Sequence, residues 1–310
     1  MAAVKAKPLL VVAIGGNALL HRGEAPTIEA QRANVKDAAA VLAGLAAGHR
    51  LVITHGNGPQ VGLLARQAEA VAGVGPVPFD VLAAESEGLI GYLLVEELSH
   101  HLGEGGASVV LTRVVVNAGD PAFAHPTKPI GTMLTEEEAR RAADEHGWSV
   151  APDGSGWRRV VASPEPKEIV ERAAIELLER AGQVVVCAGG GGIPVARGAD
   201  GRLVGVEAVI DKDLTSALVA EVLDADELLI LTDVDAVYRG WGTDQAAPVG
   251  EATPRALRAH VWPEGSMGPK VLAACRFVER TGRHARIGSL ADAAAVLTGR
   301  AGTLVSPELT

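Results

Sequence analysis

A chain of 310 residues, 48% of them hydrophobic, has enough apolar material for a large core, in one big α/β domain or in two lobes. Its formal charge of -10 argues against a nucleic-acid partner, which would want a basic surface, and 3% aromatic content leaves the core to Val, Leu, Ile and Ala. No apolar stretch approaches ~20 uninterrupted residues and residues 1–7 are too short and polar for a signal peptide, so neither a membrane span nor export is expected and a reducing cytoplasm is the default.

Strand-like and helix-like segments alternate. Leu9–Ile14 reads as a buried strand opening into Gly15-Gly16-Asn17. Residues 27–47 read as a helix capped by Thr27, with Glu29 in its first turn. A strand over 51–54 opens into His55-Gly56-Asn57-Gly58-Pro59. Helices over 60–71 and 81–101 and a strand over 108–111 follow. Residues 117–166 break the rhythm with several prolines, Trp148, Trp157 and the turn Pro152-Asp153-Gly154-Ser155-Gly156. They read as an inserted excursion of hairpins with a short helix over 136–145, either a lid or a small projecting subdomain. A helix over 168–181 shows an apolar stripe of Val170, Ala174, Leu177 and Leu178. A strand over 184–188 then opens into four consecutive glycines, Gly189, Gly190, Gly191 and Gly192. Helices over 213–222, 269–280 and 290–297 and strands over 227–231, 285–287 and Thr303–Val305 complete the chain. This alternation predicts a largely parallel sheet covered on both faces. Ligands in such sheets bind beyond the carboxyl ends of the strands, where all three glycine turns fall.

A glycine turn after a strand can be a flexible connection, or its N–H groups can seat a phosphate or another anion. Three such turns need a common cause. Lys212 stands at a strand-to-helix junction between Asp211 and Asp213, where an aimed lysine is favoured over a solvated one. Lys270 falls in a first helical turn, where the dipole disfavours it, so a ligand anion would help explain it. Lys128 is set between two nearby prolines, Pro126 and Pro129. Asp233, Asp235 and Tyr238 lie past another strand end, in metal binding or ordinary turn roles. There is no P-loop sequence and no G-x-G-x-x-G opening a helix after a strand. His55 and His125 flank the turns without a serine or cysteine to form a triad. Cys187 and Cys275 lack metal-ligand spacing; one disulfide stays possible, with Cys187 read as a buried thiol. Glycine turns with separate lysines suit phosphoryl transfer with Mg2+ bridging phosphates.

These motifs, in this order from Val11 to Val305, resemble the carbamate kinases of the amino acid kinase family. The pieces include Gly15-Gly16-Asn17-Ala18-Leu19, Arg22-Gly23-Glu24, 54–62 with its His55-Gly56-Asn57-Gly58 turn, and Pro126-Thr127-Lys128-Pro129-Ile130-Gly131. Ser163-Pro164-Glu165-Pro166-Lys167, the four-glycine turn, Asp211-Lys212-Asp213, 232–238 and 265–270 follow. Departures occur at Thr132-Met133-Leu134, His125, Ala162 and Gly288, and those beside Lys128 touch the lid's contacts more than the chemistry.

The resemblance implies a three-layer α/β/α sandwich with a largely parallel central sheet, two lobes and a projecting subdomain, assembled as a cytoplasmic homodimer. An N-terminal lobe of about residues 1–208, with the subdomain at about 118–166, would hold carbamate or carbamoyl phosphate. A C-terminal lobe of about 209–310 would hold ATP or ADP with Mg2+. Gly15, Gly16, Asn17, Gly56, Asn57, Gly58 and the four glycines would line the transfer centre. Lys212 would neutralise the transferred group, Asp213 would orient it, and Lys128 would reach in from the subdomain. Asp233, Tyr238, Met267 and Lys270 would surround the nucleotide. Two other readings stay open. One is a kinase of the same fold acting on N-acetylglutamate or a small phosphonate, against which the Lys128 insert speaks. The other is a silent nucleotide-binding subunit, against which the retained lysines speak.

Overall fold

The computed structural model describes residues 7–16, 19–21, 23–70, 77–263 and 265–307. Asn17, and the end of the 60–71 helix at Val71, lie outside them. An eight-stranded sheet runs in the order Glu251–Ala252, Thr303–Val305, His284–Ser289, Glu227–Thr232, Leu9–Ile14, Arg50–His55, Val184–Cys187, Ala107–Val110. Neighbours are parallel except where His284–Ser289 meets Thr303–Val305. Leu9–Ile14 is buried at every position, as a strand covered on both faces must be.

Alternation along that strand splits its side chains between two cores. Leu9, Val11 and Ala13 join one with Ile175, Val219, Ala220 and Phe277 from helices on that side. Leu10, Val12 and Ile14 join the other with Val35, Leu42, Ile90 and Leu94. The result is the three-layer α/β/α arrangement expected. The first helix, Ile28–Ala46, begins where predicted, and the Thr27 side chain accepts from the Ala30 N–H.

Three smaller sheets accompany the main one among the described residues, the smallest being the antiparallel pair Val237–Arg239 and Ala247–Val249. Lys128–Leu134, Gly156–Val161 and Ser149–Asp153 form an antiparallel sheet with the helix Glu136–His146, so the excursion contains the hairpins and short helix expected of it. The Arg159 guanidinium lies over Trp148 of the excursion at 4.5 Å and over Phe79 of the body at 4.8 Å. A four-stranded sheet of Leu203–Gly205, Ile193–Arg197, Arg113–Val116 and Pro166–Ile169 was not foreseen. These strands are short, and Pro194 within one of them argues against a strand when read alone.

The 168–181 helix needs correction. The helix is Arg172–Arg180, and Pro166–Ile169 is a strand antiparallel to Arg113–Val116. Its buried face is Ile175 and Glu179, while Leu177 is 70% exposed and Ala174 is exposed. A polar residue holds an inward position because Arg50 reaches Glu179 at 2.7 Å, so the apolar stripe misread the facing. The last long helix starts at Met267, earlier than 269, and the final helix is the short Ala293–Leu297.

Three strands far apart in sequence, Leu9–Ile14, Arg50–His55 and Val184–Cys187, are therefore adjacent in the sheet, and their glycine turns touch. A Cβ on Gly56 would lie 2.5 Å from the Gly16 N atom. One on Gly190 would lie 2.0 Å from the Asn57 side-chain nitrogen, and Gly190 also has φ of 65°. Backbone cannot yield as a side chain can. Gly56→Ala is expected to destabilise the fold by about 1–3 kcal/mol, in the range of overpacking. Gly58→Ala, at a helix start with open space around it, should leave the melting temperature nearly unchanged. Thermal unfolding of the two variants checks this, and equal stability would contradict the turn packing.

Candidate active site

The helix Lys212–Val222 sets the site's charge. Asp211 caps it, its Oδ1 accepting from the Asp213 N–H at 2.9 Å and the Leu214 N–H at 3.3 Å. The other oxygen of Asp211 accepts from Lys128 Nζ at 2.8 Å. Lys128 opens a strand of the excursion, and the Gly58–Glu69 helix packs against that strand. Asp213 sits between two lysines: Lys212 Nζ is 2.7 Å from its Oδ1, and Lys270 Nζ is 3.0 Å from its Oδ2. The Asp213 side chain is 5% exposed and that of Lys212 11%. Three lysines and two aspartates leave one net positive charge here, in a chain of formal charge -10.

Burial works to raise the Asp213 carboxyl, but Lys212 and Lys270 outweigh it and hold Asp213 well below the usual carboxylate range. Burial pulls the Lys212 ammonium down from its ordinary value, and Asp213 opposes that pull. Asp213 stays anionic and keeps two close lysines from repelling each other. Lys212 Nζ contacts Asp213 as a close ion pair, and its ammonium has further N–H donors beyond that contact.

The four-glycine turn lies against this helix. The Gly191 carbonyl accepts from Thr215 Oγ1 at 2.9 Å, and a Cβ on Gly191 would lie 2.4 Å from the Ile210 carbonyl oxygen. Gly190, Gly191 and Gly192 have φ of 65°, 99° and 87°, and Ala188 before them is also left-handed at 49°. The N–H groups of the glycine turns, read from the sequence as able to seat an anion, divide. Gly189 donates to Glu87, Gly191 to the Ala188 carbonyl, and Gly192 to the Gly189 carbonyl. Gly15 and Gly56 likewise donate to the Leu231 and Ile14 carbonyls. Gly190 is the residue of the turn whose N–H has no protein acceptor among the described residues. In the other two turns the Gly16, Asn57 and Gly58 N–H groups also have no protein acceptor among the described residues, so the turns supply shape, closeness and some free donors.

His55 is fully buried, its ring against Gly189. Burial pushes its imidazole down to about 4, so it is neutral near pH 7. Its Nδ1 is 3.1 Å from the Gly56 carbonyl oxygen. The second turn is braced by Asn57 Nδ2, which donates to Ser86 Oγ at 2.8 Å, and Thr54 and Ser216 hydroxyls meet at 2.6 Å between strand and lysine helix.

The residues expected at the nucleotide divide. Lys270 is drawn to Asp213, so the anion its helix position called for is an internal carboxylate. Asp233 lies exposed past the Glu227–Thr232 strand and accepts from the Thr232 hydroxyl at 3.1 Å. Tyr238 donates to Asp235 at 2.9 Å, and its ring meets Trp241 edge-on at 5.2 Å. Met267 begins the Lys270 helix and packs on the core. Among the described residues no group of His, Cys, Asp and Glu is placed to hold a metal ion, and both cysteines are buried free thiols. Asp211 and Asp213 are engaged by lysines. Among the described residues no helix is long and apolar enough to cross a membrane. Sequence reasoning missed Glu87 and the bond from Lys128 to Asp211; the cap spacing of Asp211 before the helix was a usable signal.

Residues 8–289 match the model of the amino acid kinase family. The carbamate kinase of Rhizobium meliloti (strain 1021) is 50% identical over 300 residues, covering 96% of this chain and 93% of its own. That of Escherichia coli (strain K12) is 51% identical over 297 residues, covering 96% and 99%. The solved carbamate kinase from Giardia lamblia bound to AMP-PNP superposes with a TM-score of 0.89 at 38% identity, covering 98% of this chain and 99% of that one. With near-full-length identity of this order, the chain belongs to the amino acid kinase family, on its carbamate kinase branch.

Proposed function

We propose that the protein is a carbamate kinase, transferring a phosphoryl group reversibly between ATP and carbamate to give ADP and carbamoyl phosphate. The observation that carries this reading is the buried cluster of Lys212, Asp213 and Lys270 beside three strand-end turns. Phosphoryl transfer asks mainly for positioning and charge compensation. The acceptor oxygen of carbamate is already anionic, so no general base is needed. A buried, neutral His55 held beneath the turn fits that chemistry.

In this reading Lys212 and Lys270 offset the repulsion of two reacting anions, and Asp213 fixes the geometry of both lysines. Lys128 adds charge from the excursion. Gly15, Gly16, Gly56, Asn57, Gly58 and 189–192 form the walls that let the substrates approach in line, and Asn17, outside the described residues, is assigned the same role from its place in the sequence. Asp233, Tyr238 and Met267 flank the nucleotide, which brings Mg2+ on its phosphates; AMP-PNP, held by the Giardia lamblia relative, is an ATP analogue. The N-terminal lobe of about 1–208, with its subdomain at about 118–166, receives carbamoyl phosphate, and the lobe of about 209–310 receives the nucleotide. In a cytoplasm the direction is ATP formation from carbamoyl phosphate, in fermentative arginine or related catabolism.

The assembly we propose is a homodimer. Exposed Tyr92, Val109 and Leu111 support it, at 54%, 36% and 49%. Val109 lies on an edge strand and packs against Gly91, next to Tyr92, so the apolar residues share one surface beside unpaired strand backbone.

Lys212→Ala should cut turnover of carbamoyl phosphate with MgADP by roughly 10²–10⁴, the scale of losing a preorganised charge at the transferring group. A folded variant with wild-type turnover would refute the assignment. Light scattering should give the mass of two chains for the wild type, and Tyr92→Glu with Val109→Glu should shift it toward one chain. A monomeric wild type would refute the dimer.

A further inference from the structure

The buried carboxyl group of Glu87 has no place in the chemistry above, yet it touches the centre's most constrained segment. Glu87 lies on the helix Phe79–Leu102 and is fully buried. Its Oε1 accepts from the Gly189 N–H at 2.9 Å and its Oε2 from the Thr112 N–H at 3.1 Å. Thr112 then holds both ends of the turn. Its Oγ1 accepts from the Ala188 N–H at 3.0 Å, and its carbonyl accepts from the Ile193 N–H at 2.8 Å. The preceding helix residue, Ser86, accepts from Asn57 of the second turn. One helix turn therefore braces two of the three glycine turns.

We propose that Glu87 is a positioning residue for phosphoryl transfer: its two carboxyl oxygens clasp Gly189 and Thr112, fix the left-handed run 190–192, and so aim the Gly190 N–H. This rests on the reading of that turn as a wall of the transfer centre. Glycines have no side chains to hold a turn in place, so the restraint must come from outside. Two acceptor oxygens on one side chain supply it, and an amide cannot. Gln carries one acceptor oxygen and an NH₂, which would face one of the two N–H groups donor to donor.

The environment of the carboxyl holds it protonated near pH 7, and its hydroxyl oxygen keeps a lone pair for one of the two N–H groups, which the amide nitrogen of Gln lacks. Burial raises the Glu87 carboxyl to about 8, against the pull of the two backbone N–H groups. The titratable groups around it are His55, whose ring shares the Gly189 contact, the Cys187 thiol, and Glu171, which is paired with Arg113. An unfolded chain releases this proton near the ordinary value of 4.5, and the folded chain near 8. Between those values the folded state holds one more proton. The stabilising contribution of this proton is full below 4.5 and is lost as the pH rises through 8.

The test uses the full chain with Glu87→Gln and Glu87→Asp, read by three measurements. The first is turnover of carbamoyl phosphate with MgADP. Glu87→Gln should fold and lose roughly 10–100-fold in kcat, the scale of a small misplacement, with KM for MgADP within about threefold. Glu87→Asp keeps two acceptor oxygens and should recover part of that loss. The second is amide hydrogen exchange, where 188–193 should exchange faster in Glu87→Gln while the Lys212–Val222 helix stays protected. The third is melting temperature against pH, where wild type should lose more than Glu87→Gln between pH 5 and about 8. A folded Glu87→Gln with wild-type kcat overturns the proposal. So does a kcat loss without faster exchange at 188–193. If Glu87→Gln does not fold, Glu87→Met, which keeps the length of the side chain and removes both acceptor oxygens, is read in its place, and wild-type kcat in it overturns the proposal. A wild type without turnover would sink the carbamate kinase reading instead, and the exchange result would still report on the clasp.

Discussion

Asp213 lies between two ammonium groups, and the site depends on that contact. Lys212 and Lys270 come from different helices and would repel each other without it. A buried carboxylate with two lysines is expensive to desolvate, and the lysines hold it ionised at any ordinary pH. The arrangement therefore makes poor sense as a stabilising device alone. It makes sense as a fixed positive field for anionic substrates, prepared before they arrive. The Asp211 cap contributes twice: it starts the helix that carries Lys212 and Asp213, and it anchors Lys128 from the excursion.

The parallel sheet supplies the other half of the site. Adjacent strands deliver three glycine turns to one edge, where backbone meets backbone at distances no side chain would permit. The N–H groups of Gly15, Gly56, Gly189, Gly191 and Gly192 are bonded within the protein, while those of Gly16, Asn57, Gly58 and Gly190 have no protein acceptor among the described residues. The lysines carry the charge, and the glycines carry the fit. The segment without side chains is held by groups outside it, Glu87 and Thr112 above all.

Much of this was legible in the order of residues. Apolar runs ending in glycines located the strands and their carboxyl ends, because a strand buried on both faces reads as a continuous apolar run. Lys212 stood out through its neighbours Asp211 and Asp213. Other features were hidden for physical reasons. The bond from Glu87 to Gly189 spans 102 residues, and no local pattern marks a carboxylate that serves a distant turn. Lys270 was read as calling for a ligand's anion, whereas the packing of two helices brings it to the internal carboxylate of Asp213. The Arg172–Arg180 helix was misfaced because a paired glutamate occupies an inward position that periodicity reserves for apolar residues.

The central claim is that Asp213, by holding two lysines in place, makes phosphoryl transfer possible. The most direct measurement is ATP formation from carbamoyl phosphate and MgADP by purified wild type and by Asp213→Asn, each verified as folded. The account predicts ready turnover in the wild type and a loss of roughly 10²-fold or more in Asp213→Asn. A folded Asp213→Asn that forms ATP at the wild-type rate would contradict it.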